Sequence, residues 1–202
     1  MAAGVLIKES IVEQNAGVGN GAIVRNKRTL AKVSRAFVHG DHFLKERFAL
    51  LNHWLDSFRG TVFRQSQFAE FEQKMHARVE AGEPLTKENL SAEYLRLNKK
   101  YYGRSVVSEG NIQYEWSRIP HFYRAFYVYK YATGIISALA ISDRILNEGE
   151  SAKEDYFKFL SSGGSDSPVE LLKIAGVDLT DKKTFTKAFK VFKDTLNEFI
   201  SL

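Results

Sequence analysis

Leu44, Phe48, Leu51, Leu55, Phe58 and Val62 recur at intervals of three and four residues. That spacing lays one apolar stripe along a single helical face and excludes a strand, where apolar residues alternate every second position. Phe68, Phe71, Met75 and Val79 continue the stripe past a kink expected at Gly60. Gly82 and Pro84 then end it, the glycine by supplying a left-handed cap and the proline by refusing further helix. Thr86 is placed to cap the next helix, in which Leu90, Tyr94 and Leu97 face inward, and residues 103–111 (GRSVVSEGN) read as a loop.

A long helix is expected from near Pro120 to about Glu148. Ser151-Ala152-Lys153-Glu154 and Ser167-Pro168-Val169-Glu170 both have the capping-box pattern, in which serine and glutamate satisfy each other's orphan backbone donors. The second also carries proline at the favoured first helical position and closes at Gly176. Thr180 is expected to cap a last helix with the stripe Phe185, Phe189, Phe192, Leu196 and Phe199. No strand hairpin and no fixed-period repeat is visible. The fold class predicted is all-α, with five or six main helices.

Composition supports packed helices: 44% of the 202 residues are hydrophobic, 26% are charged, and only 3 are proline. Cysteine is absent, which excludes disulfides, thiolate zinc sites, iron–sulfur clusters and cysteine nucleophiles. The longest uncharged apolar run, Tyr131 to Ser142, is 12 residues, too short to span a bilayer. No membrane association is expected, no secretion signal is read at MAAGVLIKES, and a cytoplasmic location is expected. The net charge of +5 is uneven. Residues 1–40 hold six basic residues (Lys8, Arg25, Lys27, Arg28, Lys32, Arg35) and two acids (Glu9, Glu13), so +4 of the total lies there. With no nucleic-acid fold motif beside it, this stretch reads as a solvated basic segment and no nucleic-acid partner is expected. Residues 1–38 are left as an unassigned basic, flexible segment with a short helix around Lys27 to Val38; residues 39–202 are read as the helical part.

Little in the residues nominates catalysis directly. No HExxH, GxSxG or Walker loop is present. His39 and His42 in HGDH read as exposed polar residues before a helix, His53 and His76 as surface or boundary residues, and Glu70 and Glu72 as solvated charges. The unusual stretch is Arg118 to Gly134, RIPHFYRAFYVYKYATG. On a continuous helix Tyr123, Tyr127 and Tyr131, four apart, stack along one face, with Tyr129 on another side. His121, held at the helix start by Pro120, can share that face. Phenol and imidazole are good neutral donors toward a developing oxyanion. The same pattern also fits an aromatic core stripe with boundary hydroxyls, and chemistry alone leaves both readings standing.

That stretch strongly resembles the segment RxPHFYxxFYVYxYATG of the oligoendopeptidase F family, within the thimet-type zinc oligopeptidases. Leu50 to Gln65 (LLNHWLDSFRGTVFRQ) resembles the family's LNHYLDxFRGTVFRQ, and Phe68 to Glu72, Leu95 to Gly103 (LRLNKKYYG), Leu160 to Ser165 and Leu171 to Asp178 (LLKIAGVD) follow in order. The resemblance covers about residues 43–202. It implies the C-terminal, multi-helix portion of a zincin-like helical bowl that hydrolyses short peptides. In the intact family zinc polarises the scissile carbonyl and activates water through an HExxH motif that this chain lacks. No zinc is therefore expected to be bound by this chain alone, no metal ligand is assigned, and the chain by itself is expected to be inactive.

What the resemblance carries over is the opposite wall of the cleft. His121 matches a histidine that hydrogen-bonds bound peptide. Tyr127 and Tyr131 are the first choices for the catalytic, cleft-lining positions, with Tyr123 and Tyr129 as substrate-binding residues; the oxyanion donor is left open among these tyrosines, and a different helix phase would make it Tyr129. The partners implied are short peptides and an HExxH-bearing chain or a second copy of this one. A non-catalytic helical peptide-binding module is the alternative.

Overall fold

The structure is a computed structural model and describes residues 41–202. The basic segment, the helix expected around Lys27 to Val38, His39 and the side chain of His42 lie outside the described residues. Seven α-helices run through them: α1 (Asp41–Phe58), α2 (Arg64–Glu80), α3 (Lys87–Tyr102), α4 (Tyr129–Glu148), α5 (Glu150–Ser161), α6 (Pro168–Ile174) and α7 (Lys182–Ser201). Among the described residues there is no strand, in agreement with the all-α expectation. No helix among them is long and apolar enough to cross a membrane.

The helix count exceeds the expected five or six partly because the first stripe is split. A π-helical turn at Arg59–Phe63 separates α1 from α2, at the predicted kink. Two short 3-10 helices, Gly110–Arg118 and Pro120–Tyr123, were not foreseen. The described residues divide into two compact units, one of Gly60–Ala132 and the other of residues 41–59 together with Thr133–Leu202.

In the Gly60–Ala132 unit, α2 packs against α3, and α3 against the 3-10 helix Gly110–Arg118. Phe68, Phe71, Tyr94, Leu97, Ile119 and Val128 form its core. Phe71, Tyr94, Leu97 and Val128 are completely buried. Burying a large apolar side chain contributes roughly 1.5–3 kcal/mol. Thr86 caps α3 as expected, with a reciprocal bond to Asn89: the Thr86 N–H donates to Asn89 Oδ1 (3.0 Å) and the Asn89 N–H to Thr86 Oγ1 (3.3 Å).

A buried polar hub ties these elements together. Glu115, on the 3-10 helix, accepts from Arg64 of α2 (2.6 Å), from the Tyr94 hydroxyl of α3 (2.6 Å) and from Arg118 (2.8 Å). Burial alone would raise the Glu115 carboxyl, but these three donors hold it below its usual range. Burial and the same contact push the Tyr94 phenol well above its ordinary value.

In the other unit α1 packs against α7 and α5 against α6. The last stripe meets the first through rings: Phe58 stacks on Phe192 at 4.7 Å and meets Phe189 edge-on at 5.8 Å, while Phe48 stacks on Phe199 at 4.6 Å. An Arg47–Glu198 ion pair runs alongside. A second core holds Ile141, Phe159, Leu171, Leu172, Ala175 and Val177. Gly176 ends the α6 turn at φ 70°, and a Cβ there would strike the Arg144 guanidinium, whose Nη1 donates to the Ala175 carbonyl at 2.7 Å.

Three capping expectations need correction. Ser151 lies inside α5 because the chain turns at Gly149, φ 73°, and resumes helix at once, so the glycine is the cap. The Thr180 hydroxyl is occupied by Asp178 at 2.7 Å, and Asp181 caps α7 by accepting from the Lys183 N–H at 2.9 Å. At Ser167 half of the expected box forms: its hydroxyl accepts from the Glu170 N–H, while Glu170 pairs with Lys173.

Because the native Glu115 carboxyl is depressed, its contribution is complete above the ordinary carboxylate range and is lost as the pH falls through the lowered native value. Urea unfolding between pH 7 and pH 3 is expected to show Glu115→Gln less stable at neutral pH, by about 1–3 kcal/mol, with a shallower acid-side loss than the parent. Parallel pH curves for the two proteins would contradict the hub.

Candidate functional site

The expected helix from Pro120 does not form as one piece. Proline starts a single 3-10 turn, Pro120–Tyr123, which ends at Arg124 in extended backbone (φ −118°, ψ 95°). Phe126 then adopts φ 56°, and α4 begins only at Tyr129. Tyr123, Tyr127 and Tyr131 therefore do not lie along one helix face. The physical reason is a competing acceptor: the Phe126 N–H donates to Glu72 Oε1 at 2.7 Å and is unavailable for a helical bond.

The turn nevertheless gathers three of the candidate side chains. Ile119 is in the core, and the Phe122 ring packs against Phe68 (5.8 Å) and Phe71 (5.4 Å), so His121 is pinned between two anchored neighbours. The His121 ring lies 5.7 Å from Tyr127 and 6.0 Å from Tyr131, and the two tyrosines meet edge-on at 5.6 Å. Tyr131 Oη is 3.4 Å from His121 Nε2, a long contact. All three residues are half-buried.

Tyr123 stands apart, 87% exposed. Tyr129 is half-buried at the first turn of α4, and burial pushes its phenol up to about 12. Burial, and then the neighbouring Tyr127 hydroxyl, push the Tyr131 phenol to about 12. At neutral pH it is a protonated donor. The buried Lys130 holds its ammonium 4.5 Å from the centre of the Tyr127 ring, a cation–π contact that fixes the ring's tilt.

Glu72 is the residue most misjudged from sequence. It is 2% exposed and not a solvated charge. Its position held the signal: it follows Phe68 by four and precedes Met75 by three, so it sits in the apolar stripe itself. Glu70 is also engaged, accepting from Lys100 and from the Tyr101 hydroxyl. The His76 ring, read as a boundary residue, lies 4.6 Å from Phe126.

As a zinc site the cluster is unsuitable. It offers one imidazole and two phenols, that of Tyr131 kept protonated, and among the described residues no group of three or more histidines or acids could hold a metal ion.

The chain as a whole is similar to known proteins. The family model described as Peptidase family M3 matches residues 30–191, and the chain belongs to that family. More particularly, it is 50% identical over 158 residues to the plasmid oligoendopeptidase F of Lactococcus lactis subsp. cremoris, covering 78% of this chain and 26% of that protein. It is equally similar, 50% over 158 residues, to oligopeptidase PepF of Bacillus subtilis strain 168, of which it covers 24%. The crystal structure of oligoendopeptidase-F from Enterococcus faecium superposes with a TM-score of 0.76 at 48% identity, over 81% of this chain and 31% of that one. The expected resemblance to oligoendopeptidase F therefore holds, and the chain spans about a quarter of the length of the curated relatives it matches.

The Tyr131 environment has a direct readout. With selectively labelled tyrosine, the Tyr131 ring carbon bearing oxygen is expected to keep its phenol chemical shift to about pH 11, beyond the ordinary tyrosine value of about 10. Titration near 10 would contradict the packing described.

Proposed function

We propose that residues 39–202 form the C-terminal helical part of an oligoendopeptidase F-like zinc metallopeptidase and supply the wall that binds a peptide carbonyl. The observation that carries this reading is the ring cluster of His121, Tyr127 and Tyr131, with Tyr131 Oη 3.4 Å from His121 Nε2. The names of the relatives, oligoendopeptidase and oligopeptidase, support a peptide as ligand.

In this reading the imidazole of His121 and the phenol of Tyr131 donate to one carbonyl oxygen, and Tyr127 sets the spacing between them. Such donors favour the oxyanion of a tetrahedral intermediate over the ground-state carbonyl, because negative charge develops where they point; removing one donor of this kind costs about 2.7–4 kcal/mol of transition-state stabilisation. Tyr123, exposed, is assigned to more distant peptide contacts, and Tyr129 to the wall behind the cluster. The zinc implied by the resemblance is assigned to ligands outside these residues, on an HExxH-bearing chain or segment. Phe48 (49% exposed) and Ile200 (73%) leave apolar surface for such a partner or a second copy.

Calorimetry with short peptides tests the reading. The chain is expected to bind them, and His121→Ala and Tyr131→Phe each to weaken binding by about tenfold, the worth of one lost hydrogen bond of roughly 1–1.5 kcal/mol. Unchanged affinity in both variants would sink it. The purified 202-residue chain is expected to show no zinc-dependent peptide hydrolysis; reproducible turnover would overturn the assignment of the metal ligands elsewhere.

A further inference from the structure

Among the described residues Phe126 alone has left-handed backbone without being glycine. For a bulky residue that conformation is unfavourable and persists only where its surroundings impose it. Here α2 imposes it from two sides. Its Glu72 carboxylate accepts the Phe126 N–H at 2.7 Å, and one turn further along, the His76 ring lies against the Phe126 ring at 4.6 Å.

A carboxylate in this position is expensive. Glu72 is 2% exposed, and burial pushes its carboxyl up, with the Phe126 N–H and nearby His76 drawing it partly back. Packing alone would be served as well by an apolar side chain at this buried position. What Glu72 adds is an acceptor at the one residue that precedes Tyr127.

We infer that Glu72 is a positioning residue: by binding the Phe126 amide it fixes the left-handed turn that carries Tyr127 against His121 and Tyr131. The inference rests on reading that cluster as the peptide-binding wall, but its structural consequence is observable without any peptide. Glu72 touches neither substrate nor reacting atoms in this account. It acts through the backbone of Phe126.

The test uses nuclear magnetic resonance of the full 202-residue chain. In the parent, the Phe126 amide is expected to be protected from exchange and the His121 and Tyr127 rings to show cross-relaxation. Glu72→Ala is expected to abolish both while α2 and α3 keep their helical contacts, and to weaken peptide binding at least about tenfold, as for a lost bond to a charged group. Adding Phe126→Asn to Glu72→Ala is expected to restore the ring contact, since asparagine tolerates positive φ. Simple loss of packing would not be repaired by that change.

Glu72→Gln keeps an oxygen acceptor without the charge, and covers the case in which the alanine variant does not fold. The ring contact is then expected to survive while Phe126 amide exchange accelerates by about tenfold, because charge-assisted bonds are roughly twice as strong as neutral ones. Preserved ring contacts in Glu72→Ala, failure of Phe126→Asn to restore them in a folded chain, or unaltered exchange in Glu72→Gln would each overturn the role. If the parent binds no peptide, the wall reading falls, and the exchange and ring contacts still decide the role of Glu72.

Discussion

Ile119 and Val128 belong to the same buried cluster, with Phe68, Phe71, Tyr94 and Leu97. The chain between them has to leave that core and return to it within eight residues. Such a short span has few ways to close, so the two anchors restrict its conformation before any polar contact forms. Phe122 adds a third foothold between Phe68 and Phe71. His121 is thereby held on a rigid stretch, and what remains to be fixed is the path from Arg124 to Tyr127. The Phe126–Glu72 bond falls in that interval.

The polar groups of the Gly60–Ala132 unit divide into two kinds. Glu115 is a structural charge, saturated by Arg64, Arg118 and Tyr94 and tying α2, α3 and the 3-10 helix Gly110–Arg118 together. The ring cluster is of another kind: an imidazole and two phenols, backed by the Lys130 ammonium on the Tyr127 face. Neutral donors in a half-buried aromatic setting lose less on leaving water than charged ones, and their hydrogen bonds gain from the lower local dielectric. Under the proposed function, such donors would bind an uncharged carbonyl oxygen and act most strongly when charge appears on it.

Most of the helical scaffold was legible in the sequence because it follows from periodicity and punctuation. The stripe, the break near Gly60, the stop at Gly82, the Thr86 cap and the Phe189–Phe192 face all rest on local rules; the structure agrees, except that the stripe is buried only from Leu51 to Phe71 while Leu44, Phe48 and Val79 at its ends are exposed. The segment after Pro120 was misread because its conformation is decided by a residue 54 positions away, Glu72. The four-residue tyrosine spacing favours a helix there, and a tertiary hydrogen bond overrides it. His121, Tyr127 and Tyr131 came together regardless, through the turn and not through helical stacking. The caps at Gly149 and Asp181 were misplaced by one or two residues, since several neighbouring side chains could satisfy the same backbone donors. Family resemblance, in turn, marked the important stretch without revealing how it bends.

The account stands or falls on where a peptide carbonyl lodges. The most direct measurement is a crystal structure of the chain with a short, uncleaved peptide bound. It is predicted to place one peptide carbonyl oxygen within hydrogen-bond distance of both His121 and the Tyr131 hydroxyl, with Phe126 still turned onto Glu72. A peptide seated elsewhere on the chain, or a carbonyl oxygen out of reach of both side chains, would contradict it.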